Sequence, residues 1–156
     1  MTAVQQELSI RPVVKKDFDQ WYPYWAEYQA FYNVDLSAET TSTTWRRFFD
    51  ANEPVHCAVA CDGENIYGFV HYVFHRSTWG CNDFCYLEDL YVCPSVRGQM
   101  IGKKLIEYVQ GQARENTCDR LYWHTQQSNH TAQRLYDWIA EKPGVIEYRM
   151  PLDATA

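Results

Sequence analysis

No apolar run in the sequence approaches the roughly 20 residues that a membrane-crossing helix needs. Positive charge is also scarce, with 14 Lys and Arg against 20 Asp and Glu for a net charge of −6. Proteins that grip nucleic acid draw affinity from basic side chains, so a phosphate-backbone partner is excluded as an expectation. The acidic balance suits a cationic substrate as a long-range bias, and it equally serves ordinary solubility. Residues 1–10 lack a basic segment followed by an apolar core, so no secretory signal is expected and the expected compartment is the cytoplasm. Repeats, low-complexity tracts and linkers are absent as well.

What is present is apolar and aromatic. Of the 156 residues, 46% are apolar and 16% aromatic, with 12 Tyr and 6 Trp. Such a chain is long enough to bury a core and is expected to fold as a single domain over residues 1–156. Its six cysteines (Cys57, Cys61, Cys81, Cys85, Cys93, Cys118) lie mostly in strand-like runs. They are expected to be buried thiols rather than a disulfide framework. The Cys57/Cys61, Cys81/Cys85 and His71/His75 spacings raise the question of a metal. Residues four apart on a strand lie about 13 Å from each other, too far to share one ion, so no metal site is expected.

Periodicity predicts strands at residues 8–14, 55–61, 66–74, 84–93, 120–125 and 145–152. Residues 62–65, Asp-Gly-Glu-Asn, read as a hairpin turn. Helices are predicted over 16–31, 38–51 and 128–141, and residues 98–116 read as a turn followed by a helix. The first carries Trp21, Tyr24, Trp25, Tyr28, Phe31 and Tyr32 as one stripe, with Pro23 starting or splitting it. A strand meander followed by a βαβ unit implies an α/β fold, a mixed sheet with helices on both faces.

One stretch carries chemistry. The apolar strand Tyr86-Leu-Glu-Asp-Leu-Tyr-Val92 runs through Cys93-Pro-Ser-Val to Arg97-Gly98-Gln99-Met100-Ile101-Gly102-Lys103, where a helix begins. Helix N-termini present unpaired N–H groups and a positive dipole end, and glycine admits an anion close to the backbone. Arg97 and Lys103 add charge. A plain strand-to-helix turn with a basic rim is the alternative reading. The G-x-G-x-x-G order of dinucleotide sites is absent.

This stretch resembles motif A of the GCN5-related N-acetyltransferase (GNAT) superfamily, Gln/Arg-x-x-Gly-x-Gly/Ala after an apolar strand. Residues 122–136, Tyr-Trp-His-Thr-Gln-Gln-Ser-Asn-His-Thr-Ala-Gln-Arg-Leu-Tyr, resemble its motif B. The nearer similarity is to the yeast histone-and-polyamine acetyltransferase type, and it extends over residues 10–148. The resemblance implies a central mixed sheet of six to seven strands flanked by about four helices. It implies acetyl-CoA as co-substrate, held between two splayed parallel strands. Leu90, Tyr91 and Val92 would serve the pantetheine and the oxyanion through their backbone, residues 97–103 the pyrophosphate, and Asn129 the pantetheine arm. It also implies a homodimer, since relatives often pair through C-terminal strands. Met100 departs from the motif by occupying a glycine position.

Acetylating an amine requires removing a proton from an ammonium whose pKa is about 10, and protonating a leaving thiolate whose pKa is about 8.5. Tyr136 is implied as the acid. Taken alone it reads as a core Tyr at helical spacing. Glu88, mid-strand among apolar residues and expected on the side of Leu90 and Val92, is the candidate base. Asp89 is expected on the opposite face in a structural role. Trp25, Tyr28, Phe31 and Tyr32, with Glu27, are candidates for an amine-binding wall, and a core stripe is their alternative. His124 and His130 read as surface or hydrogen-bonding residues. Three functions stay open: acetylation of a small primary amine, acetylation of protein lysines, and non-catalytic acyl-CoA sensing.

Overall fold

A computed structural model describes residues 7–152; the first six residues, part of the stretch read for a signal, lie outside it. The elements run β1 (Ser9–Pro12), α1 (Phe18–Phe31), α2 (Ala38–Arg47), β2 (Val55–Asp62), β3 (Asn65–His75), β4 (Phe84–Val92), α3 (Ile101–Glu115), β5 (Arg120–Trp123) and α4 (His130–Ile139). Two compact units result, Met1–His124 and Thr125–Ala156.

In the first unit the sheet order is β1-β2-β3-β4-β5. Neighbours are antiparallel except β4 and β5, which are parallel across the α3 crossover. Gly63, at φ +54°, makes the tight β2–β3 turn that Asp62-Gly63 announces. Side chains alternate across a sheet, so Phe69 and Gly68 serve opposite faces. On the Phe69 face, Trp21 and Trp25 of α1 pack with Val59, Cys57 and Tyr91, and Trp45 and Phe48 close the cluster. On the Gly68 face lies α3, with Leu105 close to Gly68; its Ile101, Leu105, Ile106, Val109 and Ala113 are buried.

Pro23 does not split α1. It is exposed, so the carbonyl it leaves unpaired faces solvent, and burial of Trp21 and Trp25 outweighs a cost of about 3 kcal/mol. Ser37 caps α2 by accepting from the Thr40 N–H at 3.1 Å. Cys57, Cys61 and Cys85 are buried. Among the described residues, no helix is long and apolar enough to cross a membrane.

The strand count corrects the expectation of six to seven. Among the described residues five strands form, and residues 145–152 have no regular structure. Their alternating apolar side chains satisfy the strand pattern, yet Val145, Ile146, Tyr148 and Met150 are 75–88% exposed. A strand is completed by a neighbour that takes its backbone hydrogen bonds, and periodicity does not supply one.

Candidate active site

The site begins where β4 leaves β5. Their pairing starts at Phe84↔Arg120 and ends at Leu87↔Trp123, while β4 runs on to Val92. Beyond Leu87, β4 keeps its ladder with β3 through Leu90↔Val70, Tyr91↔Phe69 and Gly68↔Val92. The edge turned toward β5 therefore offers backbone groups at residues 88–92 to an extended ligand.

After Val92 the chain makes a single 3-10 turn, Pro94–Val96, and enters the glycine loop. Arg97 folds back, its Nε donating to the Val92 carbonyl at 3.2 Å. Gly98 adopts φ +87°, and a Cβ there would meet nothing within 4 Å. Met100 is the N-cap of α3 in the left-handed region, φ +62° and ψ +24°. The Lys104 N–H donates to the Met100 carbonyl. Helix geometry thus leaves the N–H groups of Ile101, Gly102 and Lys103 directed out of the helix start. Lys103 Nζ pairs with Glu107 one turn on, at 2.5 Å.

Glu88 lies at a bulge. The register with β3 goes from His71↔Asp89 to Tyr72↔Leu87, so Glu88 is the extra residue. The bulge interrupts the alternation at Glu88 itself. His71 and Tyr72 face opposite ways, and so do Asp89 and Leu87. Leu90, opposite Val70, faces away from Asp89, so Asp89 lies on the expected opposite face. The carboxyl of Glu88 feels Asp89. Glu88 is exposed, but crowding by surrounding protein raises its pKa above the usual carboxylate value. Asp89 adds to the shift, and a positive charge on His71 would oppose it.

Asp89 is the end of a buried chain of hydrogen bonds. Trp21 Nε1 donates to His71 Nε2 at 3.1 Å, and His71 Nδ1 meets Asp89 Oδ2 at 2.9 Å. Trp21 is fully buried and His71 nearly so. Sequence reasoning considered His71 only as a metal ligand; the available signal was a His set among apolar residues on the core-facing side of its strand.

The aromatic residues of α1 divide. Trp21 and Trp25 are core. Tyr28 and Tyr32 are half-buried with ring centroids 5.0 Å apart, and the Tyr28 phenol interacts with Asp89. Burial, then Asp89, pushes the Tyr28 pKa well above its ordinary value, so the phenol stays protonated. Phe31 is 65% exposed at the end of the helix, its ring against Tyr32. Glu27 accepts a short hydrogen bond from the Tyr91 hydroxyl. The structure thus brings Glu88, Asp89, His71 and Tyr28 together and gives Glu27 a protein partner. His124 is exposed, with Nδ1 3.3 Å from the Tyr86 hydroxyl, and His130 begins α4.

Asn129 and Tyr136 belong to the second unit. Asn129 caps α4, its Oδ1 accepting from the Ala132 N–H at 3.2 Å. Tyr136 sits on α4 half-buried, and its carbonyl accepts from the Ala140 N–H.

This arrangement, a parallel pair that opens beside a glycine loop at a helix start, has matches among known proteins. The chain belongs to the acetyltransferase (GNAT) family, whose model matches residues 18–138. Membership makes it an N-acetyltransferase, an acyltransferase with acetyl-CoA as co-substrate. It is 34% identical to D-amino-acid N-acetyltransferase HPA3 of Saccharomyces cerevisiae over 148 residues, 94% of this chain and 92% of that one. It is 32% identical to thialysine N-epsilon-acetyltransferase of Mus musculus over 119 residues, 68% of this chain and 69% of that one. An aminoglycoside N-acetyltransferase solved with CoA shares the fold at a TM-score of 0.80, with 20% identity, covering 97% of this chain and 100% of that one.

The residues present fit acetyl-CoA. The open β4 edge suits an amide-bearing arm. The helix start, with space at Gly98 and the charges of Arg97 and Lys103, suits a pyrophosphate. Met100 is the one side chain placed where the family pattern has none.

Proposed function

We propose that this enzyme acetylates the primary amine of a small substrate, an amino acid, diamine or polyamine, with Glu88 as base and Tyr136 as acid. The observation that carries this reading is the carboxylate pair at the bulge, set where β4 leaves β5, with Asp89 against Tyr28 of α1. An ammonium arriving there meets negative charge and the aromatic side chains of α1. The two relatives named above act, by their names, on amino-acid-like amines, which favours a small substrate over a protein lysine.

Acetyl-CoA supplies the activated acetyl group. Leu90, Tyr91 and Val92 hold the pantetheine through the β4 backbone, and Asn129 holds its arm. Arg97, Gly98, Gln99, Met100, Ile101, Gly102 and Lys103 cradle the pyrophosphate. Tyr28 and Tyr32, with Trp25 behind them and Phe31 and Glu27 at the rim, bound the amine. Glu88 takes the ammonium proton, directly or through water, and its raised pKa suits that task. The backbone N–H of Leu90 or Tyr91 donates to the acetyl oxygen as charge builds there. Tyr136 donates to the departing sulfur.

The family match running from 18 to 138 supports one acetyltransferase domain. The exposed apolar side chains at 145–150 support a homodimer in which these segments find a partner, and gel filtration tests that.

The test of function is thiol release from acetyl-CoA with D- and L-amino acids, thialysine, spermidine and a lysine-rich peptide. Turnover on the small amines is expected. Turnover on the peptide alone would establish a protein acetyltransferase instead, and CoA binding without turnover on any amine would establish a sensor.

A further inference from the structure

The bonding pattern around His71 has a direction. An indole N–H only donates, so His71 Nε2, 3.1 Å from Trp21 Nε1, carries a lone pair. The ring proton then sits on Nδ1 and points at Asp89 Oδ2, 2.9 Å away. The imidazole cannot rotate out of this arrangement. It lies among Phe69, Trp25 and Phe48, with ring centroids at 4.5, 5.0 and 5.0 Å. The donor at the start is fully buried, and the Asp89 side chain at the end is 15% exposed. Helix α1 is thereby coupled through β3 to the residue beside Glu88.

We propose that Trp21 and His71 are positioning residues: Trp21 fixes His71 as the Nδ1–H tautomer, and His71 holds the Asp89 carboxylate in place beside Glu88, where its charge acts on the base. The proposal rests on the reading of Glu88 as base. An N–H donor fixes the carboxylate that accepts from it, and a fixed neighbouring anion makes a second carboxylate a stronger base. The titratable groups facing the pair are His71 on β3, Tyr28 and then Tyr32 from α1, and the Cys57 thiol on β2. Burial pushes Tyr28 and Cys57 upward, so both stay neutral and Asp89 is the charge that acts on Glu88.

Two measurements test this. Nitrogen-15 NMR of the imidazole at neutral pH should show a bare Nε2 and a protonated Nδ1 at His71, and Trp21→Phe should release that preference. A wild-type protein with the proton on Nε2 overturns the proposal whatever the kinetics. The pH profile of kcat/KM supplies the second readout. Asp89→Asn keeps the shape and an acceptor for His71 while removing the charge, and should move the acid limb down by roughly one pH unit, a tenfold loss of proton affinity. His71→Leu should lower kcat about tenfold or more, and His71→Asn, which keeps a donor near the Nδ1 position, should recover most of that loss. If His71→Leu does not fold, Asp89→Asn decides alone. An unmoved limb in Asp89→Asn, with activity still lost in Glu88→Gln, overturns the positioning role and leaves the base. An unchanged rate and limb in Glu88→Gln removes both.

Discussion

Replacing Met100 by glycine separates the backbone from the side chain at the pyrophosphate loop. Met100 holds φ +62° and ψ +24° at the N-cap of α3. For a residue with a Cβ the left-handed region costs about 1–2 kcal/mol. Glycine avoids that cost but gives up about 0.5–1 kcal/mol more chain entropy on folding. The Met100 side chain is 45% exposed, so its removal sacrifices little burial. The balance runs from near zero to about 1.5 kcal/mol in favour of Met100→Gly, or up to about 3–6 °C in Tm for a chain of this size. For the ligand, losing the Cβ opens the loop to closer approach, and a three- to tenfold lower Kd for CoA corresponds to about 0.7–1.4 kcal/mol. Calorimetric titration with CoA and thermal unfolding with and without it measure the two effects separately. Met100→Ala is the control, since it keeps both the Cβ and the backbone cost and should gain neither. Equal CoA affinity in Met100→Gly and wild type would show that the side chain faces away from the phosphates. A lower Tm for Met100→Gly than for Met100→Ala would refute the backbone argument.

Glu88→Gln should lower kcat/KM by about 10²–10⁴-fold. Because the base works only when ionised, wild-type kcat/KM should rise with pH through a value above the ordinary Glu range, the direction set by crowding and by Asp89. Tyr136→Phe should lower kcat about 100-fold; a wild-type rate across pH would remove Tyr136 as the acid. Asp17→Ala should cost about 3 kcal/mol in urea unfolding. It removes a buried carboxylate that takes two hydrogen bonds from Arg11, at 2.7 and 3.0 Å, and one from the Val14 N–H. Burial works against that carboxylate, but Arg11 and the Val14 N–H lower its pKa below the ordinary value. Its contribution is therefore present above the unfolded value of about 3.9 and is lost as pH falls through the folded one; in an acid titration the stability gap between wild type and Asp17→Ala should narrow as pH falls below the unfolded value.

Most elements are legible from residues alone because their signals are local. Asp62-Gly63 marks a hairpin, Pro94 ends β4, and Ile101, Leu105 and Val109 recur at helical spacing. The glycine loop is legible for the same reason, since a strand, a turn and a helix start are consecutive in the chain. The error over residues 145–152 has a physical cause. Alternation predicts which side chains would share a face, but pairing depends on where a neighbouring edge is.

By itself, the sequence determined the class of enzyme through the resemblance of residues 86–103 and 122–136 to two family motifs; the loop alone read equally as a plain strand-to-helix turn. The sequence also identified Glu88 as a carboxylate with no apolar reason to be there. Only the tertiary structure decided what surrounds Glu88. One extra residue against His71 and Tyr72 leaves Glu88 outside the ladder, and the carboxylate beside it, Asp89, is tied to His71. Trp21, fifty residues before His71, fixes the tautomer that holds Asp89. A bulge and a buried hydrogen-bond chain are products of register and packing between separate segments, and neither is written in the spacing of any one of them.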